Sequence, residues 1–132
     1  PQLLGIRMAK ALGIGGVFFK SSNPQELGAW YKQCLGMPVD EYGATFAPGD
    51  IPEGGFTAWS PFRADTDYFQ PSARDYMFNL IVDDLEGCLA QVQDAGGTLI
   101  GEIDEHEYGR FGWFIDPEGN KVELWEPPKT GA

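Results

Sequence analysis

Hydrophobic and polar positions alternate along this chain in two successive rounds. Residues 14–20 are apolar and rich in β-formers, which predicts a strand. Asn23-Pro24-Gln25-Glu26 follows, with Asn23 a capping residue, Pro24 suited to the first helical position and Glu26 placed as in a capping box. Leu27, Trp30, Tyr31, Cys34 and Leu35 then fall at i, i+3, i+4, i+7 and i+8, a single helical stripe that Gly36 stops. Short strands are predicted around 38–42, 44–47 and 55–60, broken by Pro48-Gly49-Asp50 and Glu53-Gly54.

The second round starts at residues 76–82, again a predicted strand. Asp83 is the predicted cap and Glu86 completes a second box. Leu85, Cys88, Leu89, Val92 and Ala95 form the apolar face, and Gly96-Gly97 ends the helix. Strands follow at about 98–104, 110–115 and 121–126, with Asp116-Pro117-Glu118-Gly119-Asn120 a tight turn between the last two. Residues 62–75 form an irregular linker between the rounds. The strings Trp59-Ser60-Pro61 and Trp125-Glu126-Pro127 close corresponding runs, so each half reads β-α-β-β-β.

Composition narrows the partners. The 132 residues suit one compact domain. With 9 basic and 20 acidic residues the net charge is −11, which argues against nucleic acid or an anionic membrane surface. Cys34 and Cys88 lie in predicted helices among apolar neighbours and read as free buried thiols. No run reaches the length of a membrane-spanning helix, and Leu3-Leu4-Gly5-Ile6 is too short for a signal core. A cytoplasmic location is the expectation. Met8 reads as the natural start, with residues 1–7 a cloning remnant.

The closing run Phe111-Gly112-Trp113-Phe114-Ile115-Asp116-Pro117-Glu118-Gly119-Asn120-Lys121-Val122-Glu123-Leu124-Trp125-Glu126-Pro127 resembles the last hairpin of the vicinal oxygen chelate superfamily. That superfamily includes glyoxalase I, extradiol dioxygenases and bleomycin-resistance proteins. Asn23-Pro24, Tyr31 and Leu35-Gly36-Met37 resemble its first helix, and the similarity runs over residues 13–127. The resemblance implies an α+β fold in which two tandem βαβββ modules, 13–62 and 75–127, form a curved mixed sheet around a cleft. Residues 1–12 and 128–132 would be tails. It also implies a homodimer, with modules paired within one chain or exchanged across the dimer.

Metal-dependent members of that superfamily hold a divalent ion with four side chains from the first and last strands of each module. The matching positions here are Gly16, Thr57, Met77 and Glu123, of which only Glu123 is a good ligand. The chain has one histidine, His106, too few for a site of two histidines and a carboxylate. The expectation is therefore no metal and no cofactor.

Strand alternation then gives a lining for the cleft. If Glu123 faces inward, so do Lys121 and Trp125, while Val122 and Leu124 face the helices. Phe18, Thr57, Trp59, Met77 and Asn79 join by the same parity, and Tyr108, Arg110 and Trp113 reach in from the preceding hairpin. Such a lining suits an aromatic or cationic small molecule. Each tryptophan also has a plain reading as core, and Glu123 one as the partner of Lys121 or Arg110. Three functions stay open. One is a metal-free small-molecule-binding protein of the bleomycin-resistance type. The second is a lyase-, isomerase- or dioxygenase-like enzyme with Glu123 as acid or base. The third is a module that works through its surface.

Overall fold

The structure, a computed structural model, describes residues 9, 10, 12 and 14–129, together with the backbone of Gln2–Leu3 and Ile6–Arg7. The readings of a start at Met8, a cloning remnant over 1–7, a boundary at 13 and the last tail residues lie wholly or partly outside the described residues.

In chain order the elements are β1 (Gln2–Leu3), β2 (Ile6–Arg7), α1 (Pro24–Leu35), β3 (Val39–Asp40), β4 (Gly43–Ala44), a 3-10 turn (Pro48–Asp50), β5 (Phe78–Ile81), α2 (Leu85–Asp94), β6 (Thr98–His106), β7 (Gly109–Ile115) and β8 (Lys121–Glu126). The main sheet has the order β5-β8-β7-β6 and is mixed. β5 runs parallel to β8, and the other pairs are antiparallel. The pairs β1–β2 and β3–β4 form separate two-stranded ribbons. The fold is α+β.

Both helices lie on one face of this sheet. The shared core comprises Leu27, Tyr31 and Cys34 of α1, Leu85 and Val92 of α2, and Phe114, Val122 and Leu124 of β7 and β8. Side chains alternate along a strand, so Lys121, Glu123 and Trp125 must lie on the other face. The unbroken buried run of β8 follows: one face is covered by helices and the other by loops.

Local chemistry sets the helix ends. Asn23 Oδ1 accepts from the Glu26 amide at 3.1 Å and its Nδ2 donates to Glu26 Oε2 at 2.9 Å, a reciprocal cap. Gly36 ends α1 at φ 64°, in the left-handed region. The cap of α2 is Asp84 rather than Asp83: its carboxylate accepts from the Gly87 amide at 3.1 Å. Glu126 takes the Leu85 amide at 2.8 Å, and Glu86 turns to Arg110 instead of closing a box.

The β7–β8 turn explains the Asp-Pro-x-Gly-Asn string. Asp116, 4% exposed, accepts from the amides of Glu118 and Asn120, from Asn120 Nδ2 and from the Tyr31 hydroxyl. Glu118 accepts from Ser21 Oγ and from the amides of Ser22 and Asn23. One turn therefore fastens the start and middle of α1 to the sheet. Burial raises the Tyr31 phenol pKa, and the Asp116 charge raises it further.

The strands expected at 14–20 and 55–60 do not form; both runs are extended or irregular and largely exposed. A strand exists only where a neighbour satisfies its backbone groups. Gly15 and Gly16 weaken the first run, and Gly54-Gly55 and Pro61 bracket the second. The outer edge of β5 is left without a neighbour in this sheet.

Candidate functional site

Glu123 lies at the centre of the helix-free face. Its Oε2 accepts from the Trp113 indole at 2.8 Å and the Tyr68 hydroxyl at 2.5 Å, and its Oε1 accepts from Asn79 Nδ2 at 2.7 Å. Two of these donors are fixed by strand register. Asn79 stands beside Glu123 on β5, and Trp113 stands opposite it on β7. The third comes from the linker. Residues 62–70 fold over the sheet, and Tyr68 meets the carboxylate 55 residues away in sequence.

Lys121, 8% exposed, shares this face. Its ammonium donates to the Tyr68 carbonyl at 2.6 Å and lies 5.0 Å from the Tyr68 ring centroid and 6.0 Å from that of Trp113. Burial lowers the Lys121 pKa, while the charges of Glu123 and Asp67 act in the opposite sense. Burial raises the Tyr68 phenol pKa, and its hydrogen bond to Glu123 adds to the rise. Next along β8, Trp125 donates to the Tyr108 carbonyl at 2.9 Å. Phe56 packs on it at 4.8 Å, and Phe111 stacks at 6.3 Å with an interplanar angle of 8°.

Of the residues singled out from sequence, Asn79, Trp113, Glu123 and Trp125 stand together on this face, with the Tyr108 backbone at its end. Met77 is half-buried just before β5. Thr57 is exposed, as are Phe18 (97%) and Trp59 (76%), because the strands meant to carry them are not formed. Arg110 falls on the helix side of β7, pairing with Glu86 at 2.9 Å and approaching Glu126 at 3.8 Å. His106 ends β6, exposed, with its ring stacked on Tyr108 at 5.4 Å. Sequence reading missed Tyr68 and Phe56. Tyr68 lay in a segment with no periodicity, where only the aromatic run Phe62…Tyr68-Phe69 marked a chain folded back on something apolar.

The four positions do not fit a divalent ion of the superfamily's kind. Gly16 has no side chain, Thr57 lies exposed outside the sheet, and both oxygens of Glu123 are engaged by neutral donors. Among the described residues no three His, Cys, Asp or Glu side chains converge.

The order β5-β8-β7-β6, with a turn whose ends Asp116 and Asn120 are buried, is one βαβββ unit, and residues 16–125 match the family model of the glyoxalase-like domain. The chain belongs to this family. None of the curated proteins matches it. Among solved structures, the glyoxalase-like chain is similar to an integron cassette protein from the mobile metagenome of V. pseudocholerae. That match has 16% identity and a TM-score of 0.51, and covers 91% of this chain and 100% of that one. It is also similar to a glyoxalase/bleomycin resistance protein/dioxygenase superfamily member from Sphaerobacter thermophilus, with 19% identity, 80% and 90% coverage and a TM-score of 0.46. TnmS3, an antibiotic binding protein from Streptomyces sp. CB03234, is 31% identical over 39% of this chain and 41% of its own, with a TM-score of 0.35. The glyoxalase-like chain thus spans less than half of TnmS3, and likewise 46% of the hypothetical protein SA1046 from S. aureus. Among the described residues no helix is long and apolar enough to cross a membrane.

Proposed function

We propose that this glyoxalase-like protein binds an aromatic small molecule on the helix-free face of its sheet, without a metal ion. The observation that carries this reading is the setting of Glu123: a buried carboxylate, held by three neutral donors and framed by Trp113, Trp125 and Tyr68. Aromatic walls with a few fixed polar groups are the usual makeup of a small-molecule site. The cationic alternative loses ground to Lys121, whose ammonium shares the face and repels a second positive charge.

The enzyme reading gives Glu123 the role of acid or base. A base must reach the substrate proton, and three neutral donors, the Tyr68 hydroxyl among them, already stand around the Glu123 carboxylate. Binding is therefore the better-supported function. The two free thiols suit a reducing, cytoplasmic setting.

We further propose a homodimer in which a second copy covers the runs 14–20 and 55–60. The open edge of β5 and the exposed Val17, Phe18 and Trp59 support this.

Metal content decides the first point: protein from cells grown with Ni, Zn and Fe should carry far less than one ion per chain. A full, tightly held complement would overturn the metal-free reading. A thermal-shift screen of aromatic probes should raise the melting temperature, and Glu123→Gln should reduce that shift. Turnover of a substrate that Glu123→Gln abolishes while leaving binding intact would favour the enzyme.

A further inference from the structure

Three donors hold Glu123, but they are not equivalent. Asn79 and Trp113 are built into strands on either side of β8. Tyr68 belongs to an irregular segment whose neighbours Asp67 and Gln70 are exposed, and its own residue is 38% exposed. Removing Tyr68 would leave the sheet intact and would leave Oε2 of Glu123 with room for one further donor. Displacing the segment itself would also free the Lys121 ammonium, which now gives a hydrogen bond to the Tyr68 backbone carbonyl. The vacated space is ring-shaped: Phe62 stacks on Tyr68 at 5.7 Å with an interplanar angle of 19°, and Lys121 lies over the ring. An open hollow of about 430 Å³ lies on this segment, lined by Phe62, Arg63, Asp65, Thr66 and Asp67.

From this geometry we infer that Tyr68 is an internal surrogate for the ligand. The site takes a phenol that carries a hydrogen-bond acceptor, and the linker is a strap that such a ligand displaces. The inference rests on the proposed binding function and adds to it the ligand class and the means of entry. The phenol hydroxyl of the ligand donates to Glu123 in place of Tyr68, and its acceptor takes up the Lys121 ammonium. Because the strap must leave first, apparent affinity is reduced by the fraction of molecules with the strap closed.

The test uses 4-hydroxyacetophenone, 4-methoxyacetophenone and benzyltrimethylammonium, with binding followed by tryptophan fluorescence and calorimetry on the full chain. Tyr68→Ala should bind 4-hydroxyacetophenone at least about tenfold more tightly than the native protein, since the competing group is gone. Tyr68→Phe keeps the strap's ring and packing but loses the hydroxyl, and should show a smaller gain. The methoxy analogue, with no proton to give Glu123, should bind at least about tenfold more weakly than the phenol, the cost of an unpaired buried acceptor. Phenol binding that is equal or weaker in both variants would overturn the strap while leaving small-molecule binding standing. Tighter binding of benzyltrimethylammonium than of the phenol would overturn the ligand class. If none of the three probes binds any variant, the binding reading itself falls together with this inference.

Discussion

Asp116 is a buried carboxylate whose every partner can be named, and its loss is correspondingly predictable. Asp116→Ala would leave the Tyr31 hydroxyl, Asn120 Nδ2 and two backbone amides without an acceptor. Stability should fall by about 3 kcal/mol in urea unfolding, whereas Tyr31→Phe, which removes one bond, should cost about 1 kcal/mol. Glu118 adds a pH signature. The Ser21 hydroxyl, with the Ser22 and Asn23 amides, holds its pKa below the ordinary 4.5. A depressed folded-state pKa contributes stability above that ordinary value and loses it as pH falls through the depressed one. Glu118→Gln should therefore lower the melting temperature at neutral pH and flatten the acid limb below pH 4.5, so that the two proteins converge at low pH. Of this network the sequence displayed the turn and both caps of α1's box. It did not display that the turn's acids reach back to α1, because a hydrogen bond across 85 residues leaves no periodic trace.

At the level of elements, the helices and the last three strands were legible because each pattern is satisfied within a well-packed unit. β6, β7 and β8 follow one another through short turns, and their alternation matches a sheet with helices on one side. The runs 14–20 and 55–60 have strand composition but lack a pairing partner in the described structure, and composition does not supply one. The cleft residues divided along the same line: those on β5, β7 and β8 came together, apart from Arg110, whose side chain falls on the helix side of β7, and those on the unpaired runs did not. The β6–β7 turn gives a sharp check on the ordered part. Gly109 has φ 128°, and an added Cβ would lie 2.5 Å from the Glu126 carbonyl oxygen and 2.6 Å from the Trp125 indole nitrogen. Gly109→Ala should cost about 2 kcal/mol or more. It should also disturb Trp125 fluorescence, whereas Gly119→Ala, with φ 84° and open space around it, should leave that fluorescence unchanged.

For the whole molecule, exposed Phe18 and Trp59 and the open β5 edge predict association. Sedimentation or light scattering should show a dimer whose population falls on dilution, and Phe18→Ser with Trp59→Ser should shift it toward monomer. A chain that stays monomeric at every concentration would leave the first-half strands without the proposed partner. The connection of α1 to the β7–β8 turn has a further consequence for the order in which the molecule is made. Ser21 and Glu118 are 97 residues apart, and Tyr31 and Asp116 are 85 apart. Contacts of such separation form late, after the intervening chain has closed its loop. During synthesis α1 emerges early and has α2 and β3 to lie against, but lacks its anchor to the sheet until the closing hairpin is complete. A translation product cut short before Asp116 would therefore display Leu27, Tyr31 and Cys34 to proteases and chaperones, making release of the last strands the step that protects the chain.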